Sequence, residues 1–309
     1  MNKEILEELI LNINSRTGIR NEILEKDYYV CLVLKELSLK QNELQAYFKG
    51  GTAVYKILEH MNRFSEDIDL TVKENEGDSK TNVRNRLKKS AYGYAIEGLN
   101  LDSEKNIDIG SITAFYNYES LFSLNELFKS EKIQIEATSF TVSEPVAKYT
   151  IEPLVYKYAT SEEKKVLKEE FGICEFDIEI IKLERIFVDK IFAAEYYYER
   201  KQFGDVSKHL YDICILMKNE AIKKLMQNKA EFDKLVKYKR KEETARLGGI
   251  DESKEIRDFE YMKLNFSDEL IESFNNMQRI YVLDEESRIT IDDVRTTIGE
   301  LHKIIANYD

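Results

Sequence analysis

Residues Lys49 to Leu70 read KGGTAVYKILEHMNRFSEDIDL, and the succession of residue types there decides how the first half of the chain folds. Upstream, Gln45–Lys49 has the apolar and aromatic content of a short strand. Gly50 and Gly51 follow, and two glycines between a strand and a helix let backbone approach a ligand closely. Thr52 reads as the N-cap of a helix over TAVYKILEHM. The start of such a helix presents unpaired N–H groups and a partial positive charge, a setting that suits phosphate. The Thr52 hydroxyl could add to it. After a polar turn, Asp67–Val72 alternates as a strand does, which puts the carboxylates of Asp67 and Asp69 on one face. Like charges held that close are unfavourable unless a cation offsets them, and hard oxygen ligands are what Mg²⁺ prefers.

A third acid would complete a two-metal site for in-line displacement. In KIQIEATSF, residues 132–140, Ile133 and Ile135 are expected to face the core, so that Gln134, Glu136 and Thr138 face away. Glu136 is the candidate. Asp-x-Asp alone is commonly an exposed strand face, and Gly-Gly-Thr alone is ordinary turn chemistry. Their combination in a strand–turn–helix–turn–strand context is much rarer. Lys49 and Arg63 flank the glycine turn and could meet phosphates, or could equally be surface residues.

Farther out, residues 1–40 read as two helices, and 81–98 as a helix beside strands at 112–120 and 132–140. From residue 182 long helical segments dominate. The expected class is α+β: residues 1–181 form a mixed sheet with flanking helices, and 182–309 form a mainly helical domain. The net charge of −12 argues against a generic nucleic-acid coat, though it leaves room for a local basic groove. The three cysteines show no paired spacing and read as buried free thiols. No apolar run approaches membrane-spanning length, and the N-terminus lacks the order of a signal peptide, so a cytoplasmic protein is expected. Glu25, Lys26 and Asp27 open an apolar helix, where capping and the helix dipole account for the acids.

The segment Lys49–Leu70 resembles the signature of the AbiEii-type, MenT-like nucleotidyltransferases, toxins of abortive-infection and type IV toxin–antitoxin systems. Glu25-Lys26-Asp27-Tyr28-Tyr29 is similar to an upstream block of that family. Leu183-Glu184-Arg185 with Asp189-Lys190-Ile191, and Lys208-His209-Leu210-Tyr211-Asp212, resemble two later blocks. The resemblance implies a polymerase-β-like nucleotidyltransferase domain for residues 1–181. It implies Asp67 and Asp69 as metal ligands, expected to hold Mg²⁺ or alternatively Mn²⁺, and Gly51, Thr52 and Ser65 around the triphosphate of an NTP, where Gly50 and Arg63 of the same turn are candidates as well. It further implies Lys190 as a lysine reaching the phosphates and Asp212 as an acid required for activity. From the residues alone, Lys190 beside Asp189 would be a solvated ion-paired lysine. Where the family often has Arg, this chain has Lys208, which puts a bidentate phosphate contact there in doubt.

Some members of the resembled family add nucleotides to the 3′ acceptor end of tRNA. An RNA acceptor is therefore expected, together with a cognate antitoxin from a neighbouring gene. Two basic stretches would suit RNA phosphates: Lys234–Arg246, and Arg84, Arg86, Lys88 and Lys89. Singly, each reads more simply as a solvated helix face. Tyr196-Tyr197-Tyr198 could stack on bases, though tyrosines on a long helix are commonly core and rim. His209 reads as a packed residue or as one that supports a neighbouring site residue, rather than as a catalyst. The rival readings are transfer to a small molecule or a protein side chain, and an NTP-binding regulator without turnover. The latter fits poorly with retention of both Asp67 and Asp69.

Overall fold

The sheet that carries the glycine turn is built from strands scattered along the first 181 residues. In the computed structural model, which describes residues 2–60, 62–122, 131–246 and 248–308, the chain divides into two compact units, Met1–Ile181 and Lys182–Asp309. The first unit runs α1 (Lys3–Thr17), α2 (Asn21–Leu44), β1 (Ala46–Lys49), α3 (Gly50–Leu58), β2 (Ile68–Val72), α4 (Lys80–Tyr92), β3 (Asn100–Asp108) and β4 (Ser111–Asn117). It continues with β5 (Lys132–Thr138), β6 (Val146–Ile151), α5 (Leu154–Lys157), α6 (Ser161–Phe171) and β7 (Phe176–Ile181). The second unit holds α7 (Leu183–Glu199), α8 (Phe203–Leu216), α9 (Glu220–Met226), α10 (Lys229–Ala245), α11 (Asp268–Tyr281) and α12 (Ile291–Ala306), with three short 3-10 turns. The expected mixed sheet with flanking helices is thus present in the first unit, and the second is helical.

The seven strands of the described residues lie in the order β3-β4-β5-β2-β1-β7-β6. β2 pairs antiparallel with β1 and parallel with β5, while β1 pairs parallel with β7. Ile68, Leu70, Ile133, Ile135 and Ala137 are wholly buried, and the alternation of β5 places Gln134 and Glu136 on the opposite face, as expected from period two. The helix beginning at Asn21 is buried continuously from Ile23 to Cys31, so its charged residues enter the core. Glu25, Lys26 and Asp27 are structural, but not as caps. The N-cap position is Arg20, without a side-chain bond, and the three charged residues sit a turn farther in, each tied to a different neighbour. Glu25 accepts from the Ser120 hydroxyl at 2.6 Å and the Leu121 amide at 2.8 Å. Burial still pushes its carboxyl above the ordinary value.

The helix expected over 81–98 ends at Tyr92, where Gly93 closes it. Met61, at the end of the helix expected over 52–61, lies outside the described residues, and α3 itself ends at Leu58. Cys31 and Cys214 are buried thiols, both pushed up to about 12 by burial, while Cys174 is half-buried. No described helix is long and apolar enough to cross a membrane.

Candidate active site

Three neighbouring strands deliver the acidic face. Lys49 is the register partner of Asp69 across the antiparallel β1–β2 ladder, and Glu136 is the partner of Asp69 across the parallel β2–β5 ladder. Residues opposite one another in register project to the same face. Lys49, Asp69 and Glu136 therefore form a row across three strands, and Thr113 of β4 extends it next to Glu136. Asp67 immediately precedes β2 and is exposed, whereas Asp69 lies within the strand and is half-buried.

Gly50 explains how the carboxylate of Asp69 finds its place. Its φ is +82°, in the left-handed region, and a Cβ built there would stand 1.9 Å from Asp69 Oδ2 and 2.8 Å from its Cγ. The missing side chain is the space the carboxylate occupies. The helix begins at Gly50, with Lys49 as its N-cap residue, so Thr52 lies inside the first turn rather than capping it. The Thr52 hydroxyl instead donates to Ser65 Oγ at 3.1 Å, joining the helix start to the segment that leads into Asp67. Arg63 is buried, with Nη1 donating to the carbonyl of Phe64 at 3.1 Å, which rules out the surface reading for that residue. Lys49 is half-buried.

Buried charges on α2 hold these elements in register. Lys26, 1% exposed, reaches from α2 to Glu66 Oε2 at 3.0 Å and donates to the carbonyl of Lys132, the first residue of β5. One ammonium thus ties the lead-in to Asp67 to the strand bearing Glu136. It also offsets the charge of Glu66 directly beside Asp67. Asp27, fully buried, accepts from Lys56 Nζ at 2.5 Å, from Tyr55 Oη at 2.9 Å and from the Leu154 amide at 2.7 Å. Lys56 and Tyr55 belong to α3, so Asp27 anchors the helix that starts at the glycines. Burial pulls the Lys56 ammonium down, but Asp27 and Cys31 beside it outweigh that and hold it above its ordinary value. Sequence reading missed the Asp27–Lys56 and Lys26–Glu66 pairs. No local spacing signals partners 29 and 40 residues apart.

These donors fit a hard divalent cation. Among the described residues, no three His, Cys, Asp or Glu side chains gather into a closed metal cage. Mg²⁺ does not need one: it keeps several waters and is bound by one or two carboxylates plus substrate phosphates. Asp67 and Asp69 could supply the protein's share, with Glu136 aligned beside Asp69.

In the second unit, Lys190 of α7 and Asp212 of α8 are joined at 2.8 Å, with side chains 7% and 5% exposed. Lys190 is therefore ion-paired but not solvated. Asp189 instead meets Arg185, within a buried group that also holds Glu242, Glu243 and Lys239. His209 stacks on Tyr197 with centroids 5.3 Å apart, the packing role expected for it. Lys208 pairs with Asp205 at 3.4 Å. Of the basic cluster on α4, Arg86 is engaged with Asp78 at 2.5 Å and Lys89 with Glu43 at 2.6 Å.

A family model described as nucleotidyl transferase AbiEii toxin, type IV toxin–antitoxin system, matches residues 32–293. Among solved structures, MenT4, a nucleotidyltransferase toxin from Mycobacterium tuberculosis H37Rv, is similar with a TM-score of 0.49 at 14% identity, covering 96% of this chain and 98% of that one. No curated protein sequence matches the chain. The family match takes in the glycine turn, both aspartates, Glu136, Lys190 and Asp212. The chain belongs to the AbiEii family of nucleotidyltransferase toxins of type IV toxin–antitoxin systems.

Proposed function

We propose that the chain transfers NMP from an NTP to an RNA hydroxyl, at the 3′ end of tRNA, using a divalent ion, Mg²⁺ or Mn²⁺, at Asp67 and Asp69. The observation that carries the site is the fit of the Asp69 carboxylate into the space left by Gly50. It brings the acid to the start of α3, where the Gly50-Gly51 backbone and the helix N–H groups favour phosphate. The residues bind and position. Gly51, Thr52 and Ser65 line the triphosphate, with Arg63 supporting the turn, and Asp67 and Asp69 face its α-phosphate with Glu136 as the third acid. The acceptor oxygen forms a bond to the α-phosphorus, the bond to pyrophosphate breaks, and the hydroxyl proton leaves to a base. A bound divalent ion would supply charge neutralisation on the phosphates during that displacement. Lys190, oriented by Asp212, is assigned to the triphosphate as well. RNA as acceptor, and tRNA in particular, follows from the resemblance to toxins that modify tRNA. A cognate antitoxin is the partner such a toxin requires, and a cytoplasmic location matches these substrates.

The test is incubation of purified protein with Mg²⁺, each labelled NTP in turn and total tRNA, resolved on a denaturing gel. Label on tRNA that disappears in Asp69→Ala supports the reaction and names the nucleotide. Label found in protein or on a small hydroxylated molecule would replace the acceptor. NTP binding without any transfer would leave a nucleotide sensor.

A further inference from the structure

We infer that the end of α7 and the end of α10 together form a contact for single-stranded RNA, with Arg200 and Arg246 binding phosphodiesters and the adjoining aromatic rings receiving bases. The inference rests on the RNA-acceptor reading above and locates where such an acceptor is held on the helical unit.

The observation is a sandwich. The guanidinium carbon of Arg200 stands 3.6 Å from the ring centroid of Tyr196, and that of Arg246 stands 3.9 Å from the same centroid. Two guanidiniums at van der Waals distance from one ring fit only on its opposite faces. Arg200 is the residue after α7 and Arg246 the residue after α10. Two sequence features that read singly as a helix face and a tyrosine run therefore meet at one point. Stacking on one ring fixes both guanidiniums, and a fixed planar guanidinium is the preorganised form in which arginine grips phosphate. Arg200 is fixed further by donating to the carbonyls of Tyr196, at 2.7 Å, and Gly248, which still leaves it donors to spare. Arg246 is close enough to Glu243 to help hold that carboxyl, which burial pushes up, below its ordinary value, after Lys239 has done most of it.

The acids nearby are engaged with neighbouring cations, and Glu199 also reaches Arg200 at 3.9 Å. Glu199 and Glu195 meet Lys254 at 2.8 and 2.5 Å, and Glu243 meets Lys239 at 2.8 Å. Lys201 lies exposed beside Arg200 and adds a third cation at this end of the two helices, on a chain of net charge −12. Two like charges one ring apart repel, and an anion relieves that repulsion. Tyr197 meets Tyr196 edge-on at 5.2 Å and stacks on His209, which continues the surface as a row of rings. Phosphate-binding arginines beside aromatic faces are the combination that holds single-stranded nucleic acid. An acidic peptide would use the charges but not the rings.

The test measures fluorescence anisotropy of a short, unstructured, labelled oligoribonucleotide with the full chain over a series of salt concentrations. Arg246→Ala is expected to weaken binding about tenfold and to flatten the salt dependence by roughly one ion, whereas Lys229→Ala, at the far end of the same helix and paired with Asp233, leaves both nearly unchanged. Arg246→Lys keeps the charge but loses the stack and should fall between. Tyr196→Ala, which frees both guanidiniums, should weaken binding more than either arginine change. Circular dichroism confirms that each variant is folded. Unchanged affinity and salt slope in Arg246→Ala overturn the inference even when the wild type labels tRNA. Binding of poly-aspartate in preference to RNA overturns it as well. A wild type that binds the oligonucleotide through Arg246 but labels only protein would refute the acceptor reading and leave the contact standing.

Discussion

Replacing Gly50 with alanine separates the geometry of the site from the stability of the fold. Gly50 has φ +82°, and an L-residue in the left-handed region costs about 1–2 kcal/mol. The second effect is local: the new Cβ would lie 1.9 Å from Asp69 Oδ2. Carbon–oxygen contacts settle near ~3.3 Å, so the carboxylate must retreat by more than about 1 Å. The far end of a side chain can make that move at small cost to folding. It cannot do so without leaving its position beside the helix start, and a misplacement of about 1 Å in a reacting constellation is worth on the order of 100-fold in rate. Gly18→Ala is the matched control: its φ is +72°, and a Cβ there meets nothing within 4 Å. Both variants should lose a similar few degrees of thermal stability, measured by circular dichroism. Initial rates of labelled NMP transfer at several NTP concentrations should fall about 100-fold only in Gly50→Ala. Equal activity in the two variants, or a loss in Gly50→Ala explained by its unfolded fraction, would refute the reasoning.

The buried pair of Lys190 and Asp212 gives a second prediction: Lys190→Met alone takes the ammonium away from a buried carboxylate and should cost about 3–5 kcal/mol in urea unfolding. Adding Asp212→Leu should recover much of that stability but none of the transfer activity, and recovery of both would make the pair purely structural. Lys26→Met should leave Glu66 and the Lys132 carbonyl without their ammonium, costing about 1–3 kcal/mol. It should also raise the divalent-ion concentration needed for half-maximal transfer, and an unchanged ion requirement would remove Lys26 from the support of Asp67. Burial holds the Glu195 carboxyl above its ordinary value, against the Lys254 ammonium and the amides of Glu260 and Tyr261. The folded state therefore binds that proton more tightly than the unfolded chain. The stability from this group is fully present below about 4.5 and declines as pH rises through the raised value. Urea unfolding of wild type and Glu195→Gln over that range should show the wild type losing ground toward neutral pH, and the opposite slope would mean that Lys254 outweighs burial.

What could be read in the amino-acid order was local. Two glycines, an apolar helix and an alternating Asp-Ile-Asp-Leu run declare β1, α3 and β2, because each signal fits within one turn or one strand. The long period of α7 and α8 declares the helical second unit in the same way. β3, whose residues NLDSEKNID show no apolar alternation, stayed hidden because it is a sheet edge that buries little. β6, the opposite edge, stayed hidden for the same reason.

Tertiary structure decided the rest. Glu136 follows Asp69 by 67 residues, and only the parallel pairing of β5 with β2 makes them neighbours. Glu25, Lys26 and Asp27 look like helix-end charges in one dimension, yet packing buries them and gives each a distant partner. Lys190 reads as a solvated ion-paired lysine beside Asp189 and proves to be buried against Asp212. Backbone preference and periodicity act over a few residues, so they can be read directly from the order of the chain. Which carboxylate meets which ammonium depends on which faces pack, and that is settled only when desolvation makes an unpaired charge too costly to leave.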